Sequence, residues 1–199
     1  MIPWVARVGL LGGSFNPAHE GHLHISRMAL KSLRLDHVWW LVSPQNPLKP
    51  ETGMAALEDR VETARRVAAP DPRITVSDVE SQLGTVYTWE TVARITAMFP
   101  ETRFVWLMGA DNLVQIPRWR HWTRIFHTLP VAIFDRPSYS LRAVSGQVAR
   151  RFARFRLPER RAGALIRHPP PAWVFVRGRK SPASATALRS VSGGRTEAD

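Results

Sequence analysis

The chain is expected to fold as a single α/β domain built on a parallel sheet, and three observations point there. Apolar runs of strand length recur along it, segments with a three-to-four apolar spacing separate them, and the runs are predominantly apolar instead of alternating with polar residues. A strand that is apolar on both faces is buried on both, as in parallel sheets covered by crossover helices. With 199 residues and 44% hydrophobic content, the chain has ample material for one core.

Residues 5–11 form the first apolar run, and Leu23, Met28, Ala29 and Leu33 behind it predict a helix from about His22 to Leu33. Residues 38–42 are the second run. A proline-rich loop follows, then Leu57, Val61, Ala64, Val67 and Ala68 mark a helix, and residues 74–76 a short strand. Val92, Ile95, Ala97 and Phe99 suggest another helix, residues 104–108 another strand, and a short helical piece holding Trp119 and Trp122 leads to a strand at 131–134. Leu141, Val144, Val148, Phe152 and Phe155 then predict an amphipathic helix within the arginine-rich stretch 141–161, with Arg150, Arg151 and Arg154 off its apolar stripe. Pro169 to Pro171 read as a linker before a last strand at 173–176. The polar stretch 190–199 reads as a disordered tail, which leaves 1–189 as the domain.

There is no cysteine, which excludes disulfides and thiolate metal sites. No stretch reaches transmembrane length, and the first ten residues lack the apolar region of a signal peptide, so the expected location is the cytoplasm, with no membrane partner. The formal net charge of +12 would suit a nucleic acid or another polyanion. Its distribution matters more: residues 141–180 hold ten arginines and one lysine against the single acid Glu159. Such a region reads either as a solvated helix face or as a field attracting anionic nucleotides or an acidic partner.

The densest chemistry lies in Gly12-Gly13-Ser14-Phe15-Asn16-Pro17-Ala18-His19-Glu20-Gly21-His22. A helix start offers unpaired N–H groups and a partial positive charge. Two imidazoles gathered there, beside glycines that admit a close ligand, suit a polyphosphate. Cationic or donor imidazoles would stabilise charge on phosphorus oxygens. Neither of the usual phosphate-loop signatures occurs.

This segment resembles the nucleotidylyltransferase superfamily, whose His/Thr-x-Gly-His is matched by His19-Glu20-Gly21-His22 and whose preceding Gly-Gly-Ser/Thr-Phe-Asp/Asn-Pro is matched by Gly12 to Pro17. The likeness implies a Rossmann-like doubly wound sheet and ATP at Gly12, Gly13, Ser14, Phe15, His19 and His22. Ser43-Pro44-Gln45-Asn46-Pro47-Leu48-Lys49-Pro50, by itself a rigid surface loop, resembles a loop of bacterial nicotinate-nucleotide adenylyltransferases, in which asparagine and lysine face the mononucleotide. Tyr87-Thr88 at a helix start resembles that family's Tyr-Thr pair, with Thr88 also fit to serve as an N-cap.

Gly109-Ala110-Asp111-Asn112 with Trp119 downstream resembles the family's Gly-Ala-Asp-Asn segment and its tryptophan. Gly109 permits close approach, Asp111 can bond adenosine-side hydroxyls or amines, and a tryptophan face can stack on a pyridinium ring. Core packing is the alternative for each tryptophan. Arg136, in Asp135-Arg136-Pro137, is a further ligand contact implied by the likeness. Ser184-Ala185-Thr186-Ala187-Leu188-Arg189 resembles the superfamily's C-terminal Ser/Thr/Arg signature for ATP phosphates, although Ala183 and Ala185 depart from it. Arginine suits that task because its planar fork bridges phosphate oxygens.

The resemblance runs from about Arg7 to Arg189. It implies transfer of the adenylyl group of ATP to nicotinate mononucleotide, giving deamido-NAD and pyrophosphate, by direct displacement with no covalent intermediate. His19, His22 and Arg189 carry the catalytic charge. Ser14, Asn46, Lys49, Tyr87, Thr88, Trp119 and Arg136 are implied for the acceptor, and Gly109, Asp111, Ser184, Thr186 and Arg189 join the ATP set. Mg²⁺ is implied on the polyphosphate, with no metal site built by the protein, because no clustered carboxylates suggest one. A relative of the same fold using nicotinamide mononucleotide, or a non-catalytic basic protein that binds nucleic acid, are the alternatives; the intact His19, His22 and Arg189 argue against the second.

Overall fold

The computed structural model describes residues 6–44, 53–135 and 145–178. Strands β1 (Arg7–Gly13), β2 (His37–Val42), β3 (Ile74–Ser77), β4 (Arg103–Gly109), β5 (Val131–Phe134), β6 (Arg156–Leu157) and β7 (Trp173–Val176) pair into one sheet, in the order β3-β2-β1-β4-β5-β7-β6. Every pairing is parallel. The chain winds outward from β1 through β2 to β3, then returns to β1's other side with β4. The sheet therefore has its switch point between β1 and β4, and the crevice beyond their carboxyl ends is where such folds take ligands.

Helices α1 (Glu20–Ser32), α2 (Leu57–Ala68), α3 (Val79–Gln82), α4 (Thr88–Met98), α5 (Ala110–Gln115), α6 (Trp122–Thr128) and α7 (Gln147–Arg151) connect the strands. Strand side chains alternate between two buried layers. Leu11, Trp40, Val105 and Leu107 pack with Leu23, Ala29 and Leu30 of α1, Val61 and Ala64 of α2, and Leu165 of the 3₁₀ segment Glu159–Arg167. Leu10, Leu41, Trp106 and Met108 pack with Val92 and Ile95 of α4, Leu113 of α5, Phe126 of α6 and Val148 of α7. This two-sided burial explains why the runs read as continuously apolar.

Two local expectations are corrected. The long amphipathic helix within 141–161 is not continuous: residues 136–144 lie outside the described residues, α7 spans only five residues, and a 3₁₀ turn (Ala153–Phe155) leads into β6. Phe152 is drawn inward by stacking on Phe126 at 4.6 Å, and pairing of Arg156 and Leu157 with β7 supplies backbone partners that a helix would have supplied otherwise. The proposed Thr88 cap also shifts: Tyr87 is the N-cap of α4, and no side chain caps it. The proline linker does stand between the last 3₁₀ segment and β7.

Gly12 of β1 packs directly against Trp106 of β4. A Cβ on Gly12 would lie 3.0 Å from Cζ2 of Trp106 and closer still to Cη2, whereas one on Gly13 would meet nothing nearer than Phe15 Cε2 at 3.4 Å. Trp106 is 1% exposed and cannot swing away into solvent. Gly12→Ala is therefore expected to cost about 1–3 kcal/mol by overpacking, lowering Tm by about 2–4 °C per kcal/mol, and Gly13→Ala much less. Calorimetry on the two variants checks this; equal Tm values for both would contradict the packing argument.

Candidate active site

Helix α1 begins just past the end of β1, and its first turn is satisfied by an unusual pair. His19 is the N-cap in extended conformation, and its Nδ1 accepts the Gly21 N–H at 3.0 Å. His22, three residues on, accepts the His19 N–H through its own Nδ1 at 3.2 Å. The two imidazoles thus form a reciprocal capping box, the task usually given to Ser/Thr and Glu. The helix accordingly starts at Glu20, with His22 in its first turn instead of opening it.

This geometry sets the tautomers. A ring whose Nδ1 accepts a hydrogen bond and which stays neutral carries its proton on Nε2. Both Nε2–H groups are therefore donors fixed by the backbone, at the positive end of a 13-residue helix. The rings lie 4.0 Å apart, His22 sits 4.6 Å from the ring of Phe15, and Phe15 stacks on Trp40 at 5.1 Å. Trp40 is itself anchored by donating Nε1–H to Ser26 Oγ at 2.7 Å. Phe15, 1% exposed, is a platform beneath His22, so its buried ring reaches the crevice only through that imidazole.

Gly12 and Gly13 end β1 and Ser14 follows it, and Gly109 and Asp111 stand at the neighbouring β4–α5 junction, so the described members of the expected ATP set lie at the ends of the two strands on either side of the switch point. On the other side, Tyr87 and Thr88 start α4, where Tyr87 holds Arg120: its ring lies 5.0 Å from the guanidinium, and its hydroxyl accepts from Nη1 at 3.3 Å. That contact brings the Tyr-Thr pair to the segment carrying Trp119, which is half-buried. Trp122 packs edge-on against Phe126 and Phe152 and is structural. Asn46, Lys49, Arg136, Ser184, Thr186, Arg189 and the tail after them lie outside the described residues.

Three residues had no role in the sequence reading. Arg60, 3% exposed, donates to the carbonyls of Ser14, Ser43, Pro44 and Ala55. Its signal was its position beside Leu57, Val61 and Ala64 on the inward face of α2, a strange place for an arginine. Asn16 bonds Gly53 and Ala55. Glu80, 5% exposed on α3, accepts a hydrogen bond from the Ser43 side chain; burial dominates, and pushes its carboxyl up to about 7.

The comparisons agree with this geometry. A cytidylyltransferase-like family model matches residues 10–191. A protein of Parvibaculum lavamentivorans, named a probable nicotinate-nucleotide adenylyltransferase, is 51% identical over 187 residues, covering 94% of this chain and 92% of its own. The chain belongs to the nicotinate-nucleotide adenylyltransferase family. An Agrobacterium fabrum protein of the same name is 46% identical, covering 92% of this chain and 97% of its own. The Plasmodium falciparum nicotinic acid mononucleotide adenylyltransferase, solved in complex with NaAD, matches with a TM-score of 0.70 over 93% of this chain and 83% of its own. At 14% identity it shows the shared fold, which is that of the family's nucleotidylyltransferase sheet.

Glu80 gives the region a pH dependence whose sign follows from its raised pKa. Between its ordinary value of 4.5 and about 7 the folded protein holds a proton that the unfolded chain has lost. Stability from this group is present below that window and falls as pH rises through it. With one pKa unit worth about 1.4 kcal/mol, the ionised carboxylate costs the fold on the order of 3 kcal/mol by pH 8. Glu80→Gln, which can still accept from Ser43, is expected to gain on the parent between pH 5 and pH 8. Parallel Tm curves for the two across that range would contradict the burial argument.

Proposed function

We propose that the chain transfers the adenylyl group of ATP to nicotinate mononucleotide, giving deamido-NAD and pyrophosphate in NAD biosynthesis. Family membership supports the reaction, and the observation that carries the mechanism is the histidine pair with both Nδ1 atoms committed to backbone amides. An acceptor phosphate oxygen attacks the α-phosphorus of ATP in line, its new P–O bond forming as the bond to the β-phosphate bridging oxygen breaks. Pyrophosphate leaves with that bond's electrons. No protein nucleophile takes part; the protein orients the two substrates and stabilises charge.

In this reading the Nε2–H groups of His19 and His22 donate to phosphate oxygens as negative charge gathers on them, and preorganisation by the capping box removes the cost of orienting them at the moment of reaction. Gly12, Gly13 and Ser14 admit the polyphosphate closely, Gly109 and Asp111 face the adenosine side, and Ser184, Thr186 and Arg189 complete the phosphate contacts. Among the described residues, no group of three or more His, Cys, Asp or Glu is placed to hold a metal ion. Mg²⁺ would belong with ATP, as part of the substrate, and would neutralise charge there.

The acceptor lies between α4 and the Trp119 segment. Tyr87 and Thr88 open an 11-residue helix that no side chain caps, so its first N–H groups and dipole favour a pyridine carboxylate. Trp119 stacks on the pyridinium ring, and Ser14, Asn46, Lys49 and Arg136 hold the remainder of the mononucleotide. The arginine-rich last third steers anionic substrates and takes no specific nucleic-acid partner. No helix among the described residues is long and apolar enough to cross a membrane, and the cytoplasm is the proposed location.

A carboxamide at the Tyr87–Thr88 helix start would turn N–H₂ toward donors, leaving polar groups unmet at about 1–3 kcal/mol each. Pyrophosphate release with ATP and a panel of acceptors is expected to show kcat/KM at least roughly tenfold higher for nicotinate than for nicotinamide mononucleotide. Equal values would move the assignment to relatives that take the amide, and no release with either would remove it.

A further inference from the structure

Arg60 is a buried guanidinium whose hydrogen bonds all run to backbone carbonyls, and no carboxylate pairs with it among the described residues. Nη1 donates to Ser14 O and to Ser43 O, each at 2.7 Å, Nη2 to Pro44 O at 2.8 Å, and Nε to Ala55 O at 2.9 Å. Ser14 belongs to the phosphate loop after β1. Ser43 and Pro44 precede the stretch carrying Asn46 and Lys49, and Ala55 follows it. One rigid fork therefore ties the ATP side to both flanks of the acceptor segment.

A second tie runs parallel to the first. Asn16, two residues beyond Ser14, donates through Nδ2 to Gly53 O at 3.0 Å and accepts the Ala55 N–H through Oδ1 at 3.3 Å. The residues before the acceptor segment are thus held by Arg60, and those after it by Arg60 and Asn16 together. Burying an arginine is costly, and desolvation, opposed in part by the charge of Glu58, lowers its pKa from the ordinary value. Carbonyl oxygens are fixed acceptors that cannot titrate, and four of them converging from three chain segments hold geometry better than one ion pair would.

We propose that Arg60 and Asn16 are positioning residues that set the distance between the phosphate loop and residues 43–44 and 53–55, on either side of the proposed acceptor segment, so that the acceptor phosphate is presented to the α-phosphorus in line. Neither residue touches the reacting atoms. Arg60 acts through Ser14, Ser43, Pro44 and Ala55, and Asn16 through Gly53 and Ala55. A lysine at position 60 keeps the charge and the stem but cannot reproduce the planar fork. Misplacement by about 1 Å can cost on the order of 100-fold in rate.

The proposal rests on the acceptor reading, so pyrophosphate release by the parent with ATP and nicotinate mononucleotide is measured first. For Arg60→Lys, kcat per folded enzyme is expected to fall roughly 10- to 100-fold while the KM for ATP stays within about threefold. For Asn16→Ala, which removes the exposed hydrogen bonds to Gly53 and Ala55, the KM for nicotinate mononucleotide should rise severalfold with the KM for ATP unchanged. A lowered Tm with kcat and both KM values within twofold of the parent would mark Arg60 as merely structural and overturn the proposal.

If Arg60→Lys does not fold, Asn16→Ala decides alone, and an unchanged acceptor KM overturns it. Backbone hydrogen exchange provides an arm independent of substrate. In Asn16→Ala the amides around 14–16 and 53–55 should exchange faster together, and acceleration confined to 14–16 would overturn the clamp even if the parent proved inactive with this acceptor.

Discussion

The amino end of α1 is the constraint on which the rest of the site depends. A helix that begins directly behind a buried parallel strand exposes its first N–H groups toward the crevice, and something must satisfy them. Here two of those obligations fall on imidazoles, through the Gly21 N–H and the His19 N–H. The bonds that cap the helix also choose the tautomer, and in the chosen tautomer each neutral ring carries its N–H on Nε2. Structure and chemistry share the same atoms. A serine at position 19 would cap the helix as well and bring no such donor.

The sheet places the other participants around that helix end. Because β1 is flanked by β2 on one side and β4 on the other, the loops after all three strands open onto one edge, and the aromatic stack of Phe15 and Trp40 supports the imidazoles from within the core. The proposed acceptor side is built differently, from the uncapped start of α4 and from segments held by carbonyl contacts to Arg60. Beneath it lies the buried Glu80, bonded to the side chain of the same Ser43 whose carbonyl Arg60 holds. The amino end of α1 is rigidified by a helix cap and residues 43–44 and 55 by the buried Arg60, whose bond to Ser14 joins the two regions.

Much of this was legible before any coordinates. Apolar runs without alternation announced a doubly covered parallel sheet, and Gly12 to His22 pointed to the end of β1 as the candidate phosphate site, since glycine pairs and closely spaced histidines leave few bland explanations in one segment. What escaped was of two kinds. The stretch 141–161 has helical spacing at Val148 and Phe152, yet an edge strand and 3₁₀ turns compete for its backbone, and spacing alone carries no information about an available sheet edge. Arg60 and Glu80 act through burial, and burial of a charged residue comes from tertiary convergence that composition does not reveal. Asn16 lay within the motif itself, but its partners are 37 and 39 residues away.

The central claim is that the backbone fixes His19 and His22 as neutral Nε2–H donors. Long-range ¹H–¹⁵N correlation spectra of the imidazole rings in the ligand-free protein at pH 7.5 read this directly, because protonated and unprotonated ring nitrogens resonate far apart. The expected result is an unprotonated Nδ1 and a protonated Nε2 in both rings. A proton on Nδ1 of either ring, as the other tautomer or as the cation, would contradict the account, since that nitrogen could not then accept the amide that caps the helix.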